Sequence, residues 1–247
     1  MGVLWAVAFW SIVTQEFSAQ LLSTLMRGVQ ITVFVTITAF SGACTLGLLL
    51  ALGLLARHPV PRTLARVYVE LMRGLPILVL LLYVAFVVAP ALVIAWNWVA
   101  TGLGFDPIRN RDFPLLWRAI LALTLGYAAF IAEVFRAGLQ SVDPGQIEAA
   151  KALGLRHWHR FRLIVLPQAI RTILPPLGND FVAMVKDSSL VSVLGVLDIT
   201  QLGKVTAAAN FRYFETYNIV AFLYLTLTIS LSLILQRIEM RLRKMPG

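Results

Sequence analysis

The chain is poor in the residues that soluble proteins rely on. Among 247 positions it has one cysteine, three histidines and twelve acidic residues, and only 13% of its residues are charged. A soluble domain carries roughly 25%. A lone cysteine excludes an internal disulfide, and Cys44, set among small and apolar neighbours, reads as a packed, inert thiol. His157 and His159 are too close together and too exposed for a metal site, so solvation at an interface suits them better, and His58 beside Pro59 is a loop residue. No Ser-His-Asp order, HExxH pair or paired cysteine suggests catalysis. No GxxxxGK[ST] loop is present to cradle a nucleotide.

What the chain has is apolar length. Fifty-nine per cent of its residues are hydrophobic, and the mean hydropathy is +0.82. This predicts an all-α polytopic membrane protein, with residues 1–247 as a single transmembrane domain. Apolar runs at 29–56, 67–89, 116–139, 163–185 and 216–236 give about five transmembrane helices, each near the 20 or so residues a bilayer requires. Pro90 is expected to end the second run, with an irregular Trp-rich connection from 90 to 115. Residues 1–16 are apolar but lack the basic start of a secretory signal, and they read as a retained interfacial lead-in.

The net charge of +9 raises the question of nucleic acid. The basic residues flank apolar runs instead of forming one patch with interleaved aromatics, so lipid headgroups and membrane topology account for them, with no nucleic-acid partner. Twelve Lys and Arg fall on one side of the expected spans and seven on the other, with Arg73 and Arg171 inside spans. The positive-inside rule places the 143–162 loop and the C-terminus in the cytoplasm and the N-terminus outside.

That loop carries the strongest signal. In DPGQIEAAKALGLRHWHRFRLIVLP, residues 143–167, Asp143 suits an N-cap, Pro144 the first helical position and Gln146 the third, a capping box with a proline start. Gly154 suits a left-handed C-terminal cap. The result is a helix of about ten residues, roughly 15 Å long and too short to span. Ala149, Ala150 and Ala152 keep its flank small, and Glu148 offers one anionic contact. On these grounds alone it is either an ordinary amphipathic loop helix or a helix built to dock.

The spacing of Glu148-Ala149-Ala150, Gly154, Ile164 and Leu166-Pro167 resembles the EAA loop of ATP-binding cassette importer permeases. Residues 127–155, 166–200 and Tyr68-Val69-Glu70 with Arg73-Gly74-Leu75-Pro76 are similar to the polar amino acid permeases of that class. The resemblance implies that Glu148, Ala149, Ala150 and Gly154 couple the chain to a cytoplasmic ATPase. That partner would bind ATP and magnesium, leaving no cofactor for this chain. It also implies a second permease subunit, identical or homologous, an extracytoplasmic binding protein, and alternating access to a substrate path in the bacterial inner membrane. The apolar first 15 residues and the long 90–115 connection depart from a minimal permease of this type.

Ionisable groups inside spans cost several kcal/mol and mark pathways or pairs. Glu70 and Arg73 stand i, i+3 and can pair with each other. Gly74 and Pro76 weaken the helix directly afterwards, and broken helices at membrane depth line cavities. Pro167, Pro175 and Pro176 are expected to interrupt the fourth span in the same way. Lys186-Asp187-Ser188-Ser189 then forms a polar cluster. An amino acid zwitterion needs a cation for its carboxylate, which Arg73 or Lys186 can supply, and an anion or hydroxyl for its ammonium, which Asp187, Ser188 or Ser189 can supply. Segments equivalent by the resemblance line the substrate cavity. Glu133 and Asp180 read as inter-helix struts, and Tyr83 as either wall or packing. The rival reading, an ion-coupled secondary transporter or channel for a small polar solute, needs no docking helix.

Overall fold

The computed structural model describes the backbone of residues 16–243 and the side chains of residues 21–240. The expected lead-in segment, residues 1–16, lies outside the described residues but for Glu16. The described backbone is almost wholly helical. Helix α1 is Glu16–Leu54, α2 Pro59–Gly74 and α3 Ile77–Tyr83; a π turn at Val84–Val88 leads into α4, Ala89–Gly102. Helix α5 is Leu115–Gln140, α6 Pro144–Ala152 and α7 His157–Arg160; a second π turn at Phe161–Val165 leads into α8, Leu166–Asp187. A 3-10 segment at Ser188–Leu194, then α9 (Ile199–Asn210) and α10 (Tyr213–Arg243), complete the chain.

Four stretches are long and apolar enough to cross a membrane: Leu21–Leu54, Ile77–Gly102, Leu115–Gln140 and Tyr213–Met240. The expected fourth span corresponds to α8, a 22-residue helix with a polar face. Buried positions fill 61% of the apolar window of α5 but only 17% of that of α10. Helix α5 is therefore a core helix, and α10 presents most of its surface outward.

The second span differs from the sequence reading. It does not begin at 67 and does not end at Pro90. The helix breaks at Leu75, whose backbone is extended, as the residue before a proline is forced to be. The span then runs from Ile77 to Gly102 and takes in half of the connection expected to be irregular. Pro90 is tolerated because it follows the π turn, in which the Ala89 N–H bonds to the Val84 carbonyl five residues back. In that register the missing Pro90 N–H leaves the Ala85 carbonyl free. Arg118 Nη1 fills the vacancy at 2.9 Å.

The prolines of α8 likewise fail to break it. Pro175 and Pro176 lie inside a continuous helix. A proline removes one hydrogen bond and crowds one carbonyl, and a helix packed along its length survives that. Packing here is close: a Cβ on Gly138 of α5 would stand 2.2 Å from Ile173 Cγ1 of α8, so only glycine fits at this contact.

The chain divides into two compact units. Residues 16–38, Leu81–Ile120 and Val185–Ile229 belong to one, and Ala39–Leu80, Leu121–Met184 and the chain from Ser230 onward to the other. The first has a core of Leu21, Leu25, Ile199, Ile219, Val220 and Leu223. Asp198, fully buried, caps α9 by accepting the Thr200 and Gln201 amides at 3.1 and 2.9 Å and the Tyr224 hydroxyl at 3.0 Å. Burial pushes its carboxyl above the ordinary carboxylate range, and these donors pull it back. Arg118, 5% exposed, also donates to the Phe113 carbonyl at 2.8 Å and to Asn110 Oδ1 at 2.7 Å, pinning the loop before α5. Asn97 and Ile108 exchange two hydrogen bonds of 2.8 Å and close the same loop.

In the second unit Val69 packs on Ala129 and Ala132, flanked by Leu50, Tyr68 and Met72. The Tyr68 hydroxyl donates to the Leu125 carbonyl at 2.8 Å, fixing α2 against α5.

Candidate functional site

Helix α2 has three faces. Ala65 and Val69 are buried, Val60, Leu64, Val67 and Leu71 are exposed and apolar, and Arg62, Arg66, Glu70 and Arg73 form a charged stripe at helical spacing. His58 is more than a loop residue, since its Nδ1 accepts the Val60 amide at 3.3 Å and caps this helix. Opposite the stripe, α5 presents Phe130, Glu133, Arg136 and Gln140. The two faces enclose a cavity of about 650 Å³. Its wall carries four arginines and two glutamates.

The Glu70–Arg73 pair that the (i, i+3) spacing allows does not form. Arg73 instead lies over the Phe130 ring, 5.7 Å from its centroid, a cation–π contact at the cavity wall. Glu133 is not an inter-helix strut. It pairs with Arg136 one turn along the same helix, at 2.5 Å to Nη2 and 2.8 Å to Nε, and Arg136 also donates to Gln140 Oε1 at 2.8 Å. The (i, i+3) geometry satisfies both ions locally, so neither has to reach across. Asp180 Oδ2 is buried without a hydrogen-bond partner among the described residues. Tyr83 is exposed. Gly74 and Leu75 end α2, and the Pro76 carbonyl accepts the Leu80 amide at 3.0 Å to start α3, so the expected break is present here.

The cluster after α8 lies in the other compact unit. Lys186 is exposed, and Asp187 and Ser189 are half-buried. Ser188 is fully buried and donates to the Val185 carbonyl at 2.7 Å. The Ser189 carbonyl accepts the Ser192 hydroxyl at 2.7 Å, holding the 3-10 segment closed.

The short loop helix forms as expected at its end and differs at its start. Asp143 Oδ1 accepts the Gly145 amide at 2.8 Å, but Gln146 does not reach back to complete a capping box. Its side-chain oxygen accepts Gln168 Nε2 of α8 at 2.6 Å, a stronger anchor than a bond to an exposed backbone N–H. At the other end Gly154 has φ +75. Its amide bonds to the Lys151 carbonyl at 2.9 Å, and the Leu155 amide to the Ala150 carbonyl at 3.1 Å, a complete Schellman motif. Glu148 and Ala149 face outward, Ala150 packs inward at 2% exposed, and Leu153 protrudes at 82%. Sequence reasoning singled out the helix but not the outward Leu153, nor Arg62, Arg66 and Arg136 as cavity wall. Their signal was the four-residue spacing of arginines on α2 facing an equally periodic polar stripe on α5.

The chain is 37% identical over 229 residues to the probable amino-acid permease protein YxeN of Bacillus subtilis (strain 168), covering 93% of this chain and 96% of that protein. It is 34% identical over 219 residues to the glutamine transport system permease protein GlnP of Escherichia coli (strain K12), covering 89% and 93% respectively. Among solved structures, an amino acid ABC transporter crystallised with histidines matches with a TM-score of 0.75 at 33% identity, over 93% of this chain and all of that one. An inward-facing MetNI methionine ABC transporter, at 22% identity and a TM-score of 0.69, shares the fold. A family model, the binding-protein-dependent transport system inner membrane component, matches residues 43–244. With its capped loop helix, apolar spans and this match over most of its length, the chain belongs to the family of inner membrane components of binding-protein-dependent transport systems.

Proposed function

We propose that the chain is the transmembrane permease subunit of an ATP-driven importer for polar amino acids, working by alternating access. The observation that carries the reading is α6, capped at both ends and anchored through Gln146, with Glu148, Ala149 and Leu153 turned outward. A short rigid helix that projects Glu148, Ala149 and the apolar Leu153 is suited to insertion into a cleft on a partner ATPase, and its two caps and the Gln146 anchor suit it to transmit force. ATP and magnesium belong to that partner, and hydrolysis with them. A second permease subunit, identical or homologous, completes the path, and an extracytoplasmic binding protein delivers the solute.

The cargo reading rests on the amino acid relatives and on the wall chemistry. Arg73 offers a guanidinium at the cavity wall for a carboxylate, with Glu70 and the break at Gly74 and Pro76 beside it. Lys186, Asp187 and Ser189 supply a second polar group, whose turn Ser188 holds in place. The orientation, with the N-terminus outside and the C-terminus cytoplasmic, has new support. Of the twelve Lys and Arg assigned to the cytoplasmic side, the eleven whose backbone is described fall in the unit that contains α6, and all seven of the others fall in its counterpart.

The test is ATPase stimulation in the reconstituted complex by binding proteins loaded with a panel of amino acids. Stimulation by at least one loaded binding protein is expected, and silence across the panel sinks the cargo reading. Gly154→Val, which places a β-branched residue at positive φ, is expected to abolish stimulation while leaving membrane insertion intact. Glu148→Ala is expected to weaken it. Normal uptake by both variants would defeat the coupling assignment.

A further inference from the structure

A second basic concavity, outside the substrate cavity, lies between the end of α1 and the α6–α7 turn. It encloses about 270 Å³. Arg57, Lys151, His157 and Arg160 ring it over an apolar floor that includes Phe161 and Val165, and no carboxylate lines it. None of the four ring residues pairs with an acid among the described residues. Like charges gathered around a cavity repel one another, and the arrangement is relieved by an anion seated between them.

The depth of the pocket points to what that anion is. Arg57 lies three residues beyond Leu54, the end of an apolar stretch long enough to cross a membrane. Beside the ring, Trp158 stacks on Phe161 with centroids 5.9 Å apart. Trp158 and Leu163 are 63% and 62% exposed, the amphipathic aromatic and aliphatic surface of a bilayer interface. The pocket is thus basic where phospholipid headgroups lie, apolar at its floor, and open beside side chains suited to an acyl chain. A protein partner is served instead by the projecting flank of α6, formed by Glu148, Ala149 and Leu153.

We propose that this pocket binds the phosphate headgroup of an anionic phospholipid. Bound there, the headgroup bridges Arg57 at the end of α1 to Lys151 on α6 and Arg160 on α7. It braces the seat of the docking helix and makes coupling sensitive to the anionic lipid content of the membrane. The effect on coupling rests on the proposed contact of α6 with an ATPase, whereas binding at the pocket needs the membrane placement but neither the amino acid cargo nor the ATPase contact.

Native mass spectrometry of the purified full chain tests it without either of those. One phosphatidylglycerol per chain is expected to survive micelle removal in preference to phosphatidylcholine. Arg57→Gln with Arg160→Gln is expected to lower that retention on the order of 25-fold, taking both charges as near-surface contributions. Arg57→Lys with Arg160→Lys is expected to retain most of it, and Arg237→Gln on the exposed face of α10 all of it. Equal retention of the two lipids, or wild-type retention in the glutamine variant, overturns the proposal. So does failure of the lysine variant to retain lipid, which would mean that the substitutions act through folding. Displacement of phosphatidylglycerol by an equal concentration of inorganic phosphate would reassign the pocket to free anions.

Discussion

Named charges in the two compact units are used in opposite ways. In the unit that contains α9, Arg118 and Asp198 are buried, and hydrogen bonds to backbone and side chains consume them. In the unit that contains α6, Arg62, Arg66 and Arg73 line an open cavity, and Arg57 and Arg160 line another. A buried ion with all its partners holds loops and helix starts in place. An ion in an open wall stabilises little and is free to meet something else. The difference separates charges that build the fold from charges that face ligands.

Breaking a consumed charge has the largest effect. Arg118→Met leaves the Ala85 and Phe113 carbonyls without their donor, an expected loss of about 4 kcal/mol for two stranded acceptors. In a detergent melt that is a fall in Tm of about 10 °C. A Tm within 2 °C or so of wild type would mean that the arginine is not structural. Asp198→Ala removes the α9 cap and the Tyr224 contact, for about 2 kcal/mol. Asp198→Asn keeps the cap geometry and is expected to cost under about 1 kcal/mol, as burial works against the charged form. Both are read in the same melt.

In the other unit, Gln146→Ala removes the bond to Gln168 and is expected to cost about 1 kcal/mol, loosening α6. That loss should appear as faster amide exchange in residues 144–153 before any global change in stability. Arg66→Gln, at a cavity wall, is expected to shift stability by less than about 0.5 kcal/mol. Arg73→Gln is expected to leave Tm in the same range while weakening uptake about tenfold, the worth of a charge-assisted contact of roughly 1.5 kcal/mol. If both arginine variants melted as low as Arg118→Met, the contrast between the units would fail.

Much of this was legible in residue order. Periodic apolar runs announced α1, α5 and α10, since a bilayer demands about 20 apolar residues wherever they come. Asp143, Pro144 and Gly154 announced α6, because capping is chemistry between neighbours in sequence. Pro90, Pro175 and Pro176 misled because whether a proline breaks a helix depends on who answers the freed carbonyl. For Ala85 the answer is Arg118, 33 residues away. Gln146 misled for the same reason: its partner was a distant Gln168 and not the adjacent cap.

The sequence by itself determined an all-α membrane protein with a short loop helix of recognisable spacing, because helix periodicity, hydropathy and capping are local properties. Tertiary structure alone decided which charges are consumed and which are presented. Arg118 and Arg66 are the same residue type, each set directly between apolar residues, and nothing beside them in the chain tells them apart. What separates them is whether carbonyls from another segment close around the guanidinium, and only the packing of helices supplies those.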